Sequence, residues 1–229
     1  MTWAISGPNQ INLQFGPADV DTAPPTPSSA AYKRTLPSGA SERLYIGVGA
    51  LATGTADYTR GAYVAGFNGS NQPIIHYCVL GVPTQLDDRP TANNVSYDNF
   101  GVGGFALETN TSGVVTYEIK DSVITQAVNL ATGTLNTNIR LVGRRIENGV
   151  PSGAITELGR YQGQASFDGT VQTYSADLTS SNWQNLQSNY GGWFFGPQGI
   201  ETGFSFAIVS EDGGTGRRIH VIGTAIGKR

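Results

Sequence analysis

From Val95 to the C-terminus the chain runs as short stretches in which apolar and polar residues alternate, separated by turn-forming Gly, Asn, Asp and Ser. A period of two places successive side chains on opposite faces of a strand, whereas a helix repeats every 3.6 residues. Eight such stretches can be read, at 97–107, 113–119, 135–144, 161–167, 171–178, 192–195, 203–210 and 218–226. In the last, Arg218, His220, Ile222 and Thr224 share one face and Ile219, Val221, Gly223 and Ala225 the other, which suits a wall with one side dry. Short strands at even spacing indicate a sandwich or barrel. Glycine recurs inside them, at 101, 103, 104, 191, 192 and 196, where it weakens a strand unless the backbone bends or packs closely. The curvature of a small closed barrel supplies that reason. The expected fold class is therefore all-β, with an eight-stranded antiparallel β-barrel in the second half. A single helical turn is expected at 180–188, where Ser180-Ser181-Asn182 offers an N-cap ahead of Leu186.

The first half carries fewer strands. Alternation at 10–15 predicts one, and Pro24-Pro25-Thr26-Pro27-Ser28-Ser29 reads as an extended connector. Further strands are predicted at 44–48, 61–67 and 73–81. The turn cluster Asn68-Gly69-Ser70-Asn71 joins the last two as a hairpin, because Asn-Gly favours the positive φ of a tight reversal. The loop at 83–95 sets a boundary near residue 92. It separates a β-rich domain at 1–92 from the barrel at 93–229.

Composition excludes several classes. The net charge is −3 and charged residues make up 14% of the 229, with no basic run, so nucleic acid is not an expected partner. The chain has no apolar stretch of the length that crosses a membrane as a helix. Residues 1–6 lack the basic and apolar regions of a signal peptide, so the protein is either not exported or begins after a removed leader. The single cysteine, Cys78, allows no intrachain disulfide and no cysteine metal cluster. No Gly-x-Ser-x-Gly elbow, His-Glu-x-x-His pair or calcium loop is present, and Asp87-Asp88 in a Pro-flanked loop reads as solvated. No enzymatic activity is expected.

The remaining candidates are for binding. His76 sits in an apolar strand beside Tyr77 and Cys78. A single imidazole can hold haem iron, which makes haem the one candidate cofactor, against the plainer reading of a half-buried structural histidine. His220 reads as structural. Tyr45, Tyr58 and Tyr63 are candidates for an aromatic recognition groove, since aromatics are enriched at contact surfaces, although they also favour strands.

One pattern is more specific. Gly192-Trp193-Phe194-Phe195-Gly196-Pro197 is followed by Glu201 and Gly203-Phe204, and Ile222-Gly223-Thr224-Ala225-Ile226-Gly227-Lys228-Arg229 follows later. Upstream, Gly81-Val82-Pro83-Thr84 and Pro90 lead into Tyr97. Together these resemble the barrel of the transferrin-binding protein B family, surface lipoproteins of the outer membrane of Gram-negative bacteria. Gly192, Phe194, Phe195, Gly196, Pro197, Glu201, Gly203 and Gly227 carry the resemblance, which covers about two-thirds of the chain. It implies a small β handle at 1–92 followed by the barrel, as in single-lobe relatives. The function it implies is monomeric, surface-exposed or secreted capture of haem, a host protein or another scarce nutrient. Delivery would be to a TonB-dependent outer-membrane receptor. The sequence departs from the family in having no lipid-attachment cysteine near Met1 and in having one lobe where the transferrin binders have two. The alternative from the residues alone is a structural or adhesive module of the appendage or phage-tail type.

Overall fold

A computed structural model describes residues 3–7, 11–23, 30–67, 70, 72–167 and 173–229. The connector at 24–29 and the turn residues 68, 69 and 71 lie outside the described residues. Every long element is a strand. A two-stranded ribbon is formed by β1 (Trp3–Gly7) and β2 (Ile11–Phe15). A four-stranded antiparallel sheet follows, in the order β3 (Ala30–Thr35), β4 (Ser41–Ile46), β5 (Thr59–Phe67) and β6 (Pro73–Gly81). Its hairpin pairs Tyr63 with Tyr77 and Val64 with His76. One face of the sheet buries Tyr32, Leu44, Ile46, Ala62 and Val64 against Leu13 and Phe15.

The second sheet holds all strands from Asn94 onward. β7 (Asn94–Tyr97) and β8 (Asn99–Asn110) run back along β9 (Gly113–Ile119) and β10 (Val123–Asn129) as one long interrupted hairpin. β11 (Thr134–Glu147) pairs with β9, β10 and β12 (Val150–Ser166). β15 (Gln184–Phe195), β16 (Glu201–Glu211) and β17 (Arg218–Lys228) follow in order, and β17 pairs along its whole length with β8. Of the eight stretches read from the sequence, six fall within single strands of this wall or extend slightly past them, 97–107 is broken at Asp98, and 171–178 is broken at Asp177, with 171 and 172 outside the described residues.

The ladder is not continuous round the wall. Between β12 and β15 lie two short segments separated by Asp177. β13 (Thr173–Ala176) bonds to β15, and β14 (Leu178–Thr179) bonds to β12 by only two residue pairs. Among the described residues this eleven-stranded sheet is strongly curved but does not close into the eight-stranded barrel expected from the sequence, because β13 and β14 pair with different neighbours and not with each other, which leaves a seam between β12 and β15. Its concave side is filled. Tyr97, Tyr161, Tyr190, Phe204, Leu135, Ile139 and Ile219 are all 2% exposed or less. One group of interior polar side chains pairs with itself, Gln126 reaching Thr137 and Thr202 meeting both Gln126 and Tyr174.

The helical turn expected at 180–188 is absent. Ser180 Oγ instead donates to Arg160 O and accepts from the Asn182 N–H, a side-chain turn, and the strand β15 begins at Gln184. Ser and Asn favour such local turns as readily as helix caps. Among the described residues no helix is long and apolar enough to cross a membrane.

Candidate functional site

The four-stranded sheet lies against the outside of the wall. Thr224 and Ile226 face outward from β17, yet they are 7% and 6% exposed because β5 covers them at Gly61. A second join lies at Glu201, fully buried, whose carboxylate accepts from the N–H groups of Asp57 at 2.6 Å and Tyr58 at 3.0 Å. Lys228 Nζ donates to Asp57 Oδ2 at 2.6 Å, holding the Asp57 carboxyl below its usual range. Thr84 N–H donates to Phe194 O, Thr84 Oγ1 to Gly196 O, and Gly196 N–H to Val82 O. Glycine is required where this join is tightest. A Cβ on Gly196, which has a φ of 71°, would lie 2.5 Å from the Tyr58 ring, and one on Gly203 2.9 Å from Thr59 Cγ2. Residues of the family-like pattern thus serve as the mount for the first sheet.

Beside this mount the two surfaces part, leaving a groove of about 650 Å³. One wall is a row of rings. Tyr45, Tyr63 and Tyr77 are cross-strand neighbours on β4, β5 and β6, and so share a face. Tyr45 and Tyr63 stack with centroids 5.9 Å apart and planes at 17°, and Tyr63 meets Tyr77 at 5.4 Å. Tyr77 in turn meets Phe105 of β8 at 6.3 Å, so the row crosses from sheet to wall. The other side is nearly bare because Gly101 and Gly103, on the Phe105 side of β8, carry no side chain there. The two have different reasons to be glycine. A Cβ on Gly101 would strike Ala50 O at 1.8 Å, whereas one on Gly103 would meet nothing within 4 Å. Gly103 therefore leaves the groove open, a role separate from strand curvature.

Charge is present and uncommitted. Arg43, Glu118 and Lys120 line the groove, and none of their side chains makes an ion pair or hydrogen bond among the described residues. The Tyr45 hydroxyl is buried without a partner, in a residue only 9% exposed. Burial raises the pKa of Tyr63 and of Tyr77, so both stay phenols at neutral pH.

Of the four residues expected to bind, Tyr45 and Tyr63 come together in this groove. Tyr58 does not, since its ring packs on Gly196 at the mount. His76 lies on the opposite face from Tyr77. It stands opposite Val64, in the row with Ile74, Cys78 and Leu80 that packs on the Leu13 and Phe15 core. It borders a different cleft with Ser175 and Asn189, and burial lowers its pKa. Burial likewise raises that of Cys78. His220 is exposed on the outer face of the wall. Tyr77, Phe105, Arg43, Glu118 and Lys120 are the groove residues that sequence reasoning misses. Only Tyr77 has a readable signal, because the expected hairpin register puts it opposite Tyr63.

No protein-family model matches the chain, and no curated protein is similar to it. Solved structures do match. A double mutant of the vaccine antigen transferrin-binding protein B from Haemophilus parasuis Hp5 aligns with a TM-score of 0.51 at 13% identity, covering 100% of this chain and 45% of that one. The chain shares the fold of transferrin-binding protein B. It spans less than half the length of that protein. The isotype 1 transferrin-binding protein B of serogroup B Neisseria meningitidis aligns at 14% identity and a TM-score of 0.46, over 100% of this chain and 43% of that one. HpuA from Kingella denitrificans, in complex with human haemoglobin, aligns at 16% identity and a TM-score of 0.39, over 100% and 82%. Two of these neighbours are named as transferrin binders and the third holds haemoglobin. In the transferrin-binding protein B fold described here, the pattern from Gly192 to Gly203 lies where the first sheet is fixed to the wall.

Proposed function

We propose that the chain is a ligand-capture protein of the bacterial surface, without catalytic activity, and that the groove between the four-stranded sheet and the outer wall is its ligand seat. The observation that carries this reading is the groove itself. Its ring-lined side, the open position at Gly103 and three uncommitted charged side chains meet in one concavity, the usual make-up of a pre-formed binding site. The fold shared with transferrin-binding protein B supports capture as the class of function, with residues 1–92 acting as a handle on the curved wall. A host iron protein or haem is the proposed ligand, and a TonB-dependent outer-membrane receptor the proposed recipient.

Calorimetric titration with transferrin, haemoglobin and haemin tests the reading, using the wild type and Gly103→Leu. The substitution fills the groove without meeting a neighbour at its Cβ. One of the three is expected to bind with a Kd of about 1 μM or tighter, and Gly103→Leu to weaken it at least about ten-fold. Binding of none of them, or binding indifferent to Gly103→Leu, overturns the proposal. Haem held by His76 would give a Soret band lost in His76→Ala and retained in Gly103→Leu, which would move the seat to the other face of the sheet.

A further inference from the structure

We infer that the groove takes a flat conjugated ring system bearing a carboxylate, with the carboxylate seated between the Tyr45 hydroxyl and Arg43. The inference rests on the groove being the ligand seat and adds the chemical class of what sits there. Three observations point the same way. The first is shape. The rings of Tyr45, Tyr63 and Tyr77 line one side and bare backbone at Gly103 the other, with Phe105 closing one end from the wall, which makes a slot suited to a planar body stacked on aromatic side chains.

The second is the orphan hydroxyl. A buried polar group without a partner is costly, and native proteins keep few of them. Tyr45 lines the groove, and its hydroxyl has no partner although the residue is more than nine-tenths buried. A carboxylate would accept from it.

The third is charge. Arg43 is two residues from Tyr45 on the same face of β4, and it acts electrostatically on the adjacent Tyr63. Glu118 acts on Tyr77, at the far end of the row. The cation and the orphan donor therefore share one end and the acid stands at the other. Lys120 brings a second cation to the groove. A guanidinium with no committed partner is a strong acceptor-seeking group, and it pairs readily with a carboxylate.

The probe is 1-pyrenebutyrate, with 1-pyrenebutanol as the neutral isostere, read by pyrene fluorescence anisotropy on the full chain. Expected results are saturable binding of the acid, about ten-fold weaker binding of the alcohol, and a similar loss for the acid in Arg43→Gln. Tyr45→Phe separates a binding role from a structural one. It is expected to weaken the acid about five-fold while leaving the Tm of the free protein unchanged or raised by about 2–4 °C, since it removes an unsatisfied group. Equal affinity for acid and alcohol, or a Tyr45→Phe variant that loses stability and keeps affinity, overturns the inference. Failure of the acid to bind, with Gly103-dependent binding of transferrin, haemoglobin or haemin intact, rejects the ligand class and leaves the seat standing. Binding of the acid equally by wild type and Gly103→Leu rejects both.

Discussion

Glu201 reaches the backbone of Asp57 across 144 residues of sequence, its Oε1 accepting the Asp57 N–H at 2.6 Å while Oε2 takes the neighbouring N–H of Tyr58 at 3.0 Å. A fully buried carboxylate thus satisfies two donors at the start of β5 that would otherwise be orphaned against the wall.

Glu201→Gln presents an amide NH₂ to one of those donors. It is expected to cost about 2–3 kcal/mol, the range for losing a hydrogen bond to a charged acceptor. The check is the urea midpoint, which should fall with no change in m. A midpoint within error of wild type would show that the join is held by packing alone.

Gly101 and Gly103, both outward on β8, should respond unequally to the same substitution. Gly101→Ala places a methyl 1.8 Å from Ala50 O, so the loop must move, and a loss of about 1–3 kcal/mol is expected. Gly103→Ala meets nothing within 4 Å and should change stability by less than about 0.5 kcal/mol. Paired thermal melts decide it.

Glu108 confers a pH dependence. Its carboxylate accepts from Arg217 Nη2 at 2.8 Å, and that bond holds its pKa below the usual 4.5, with Asn110 and Tyr117 adding hydrogen bonds. Because the folded pKa is the lower one, the stabilisation is complete above about pH 4.5 and is lost as pH falls through the folded value. Arg217 also lies 4.9 Å over the Trp183 ring, so protonation loosens a packed cluster. Thermal unfolding from about pH 7 down to pH 3 should show a decline below pH 4.5, and Glu108→Gln should make it shallower, the remainder coming from carboxylates such as Asp57.

Leu178 tests the seam. It is 3% exposed and belongs to β14, the two-residue strand bonded to β12. Leu178→Ala should cost about 2–4 kcal/mol. Amide exchange should accelerate most at 173–179 and along the facing part of β12, with β16 and β17 little changed. Uniform acceleration across the sheet would show that the seam opens only with global unfolding.

The wall was legible because its inward residues are nearly all apolar, as at Ile219, Val221 and Ala225 in β17. β10 was not, because its inward row runs Ile124, Gln126, Val128. The middle member is a buried amide, bonded to Thr137, Tyr174 and Thr202, and this interrupts the alternation. Pro151 and Gly153 similarly disguised the start of β12. In the groove, Tyr45 and Tyr63 stood out as aromatics, but their relation to Phe105 depends on how one sheet docks on another, a contact between residues far apart in sequence. Tyr58 carries the same side chain as Tyr45 and has a different role, fixed by Gly196 lying 138 positions later. His76 drew notice for its chemistry, while the parity of its strand put it with Val64 and away from Tyr77.

The pairing of β17 with β8 also sets an order of events. The other neighbours in the wall lie far closer together in sequence and can pair while the chain is still being made. Strand β8 must wait for residues 218–228, and so must β5, which rests on Thr224 and Ile226. Until those last eleven residues emerge, β8 presents an open edge of the kind that recruits strands from other chains. Anything that stalls synthesis just short of residue 218 would therefore release an aggregation-prone intermediate.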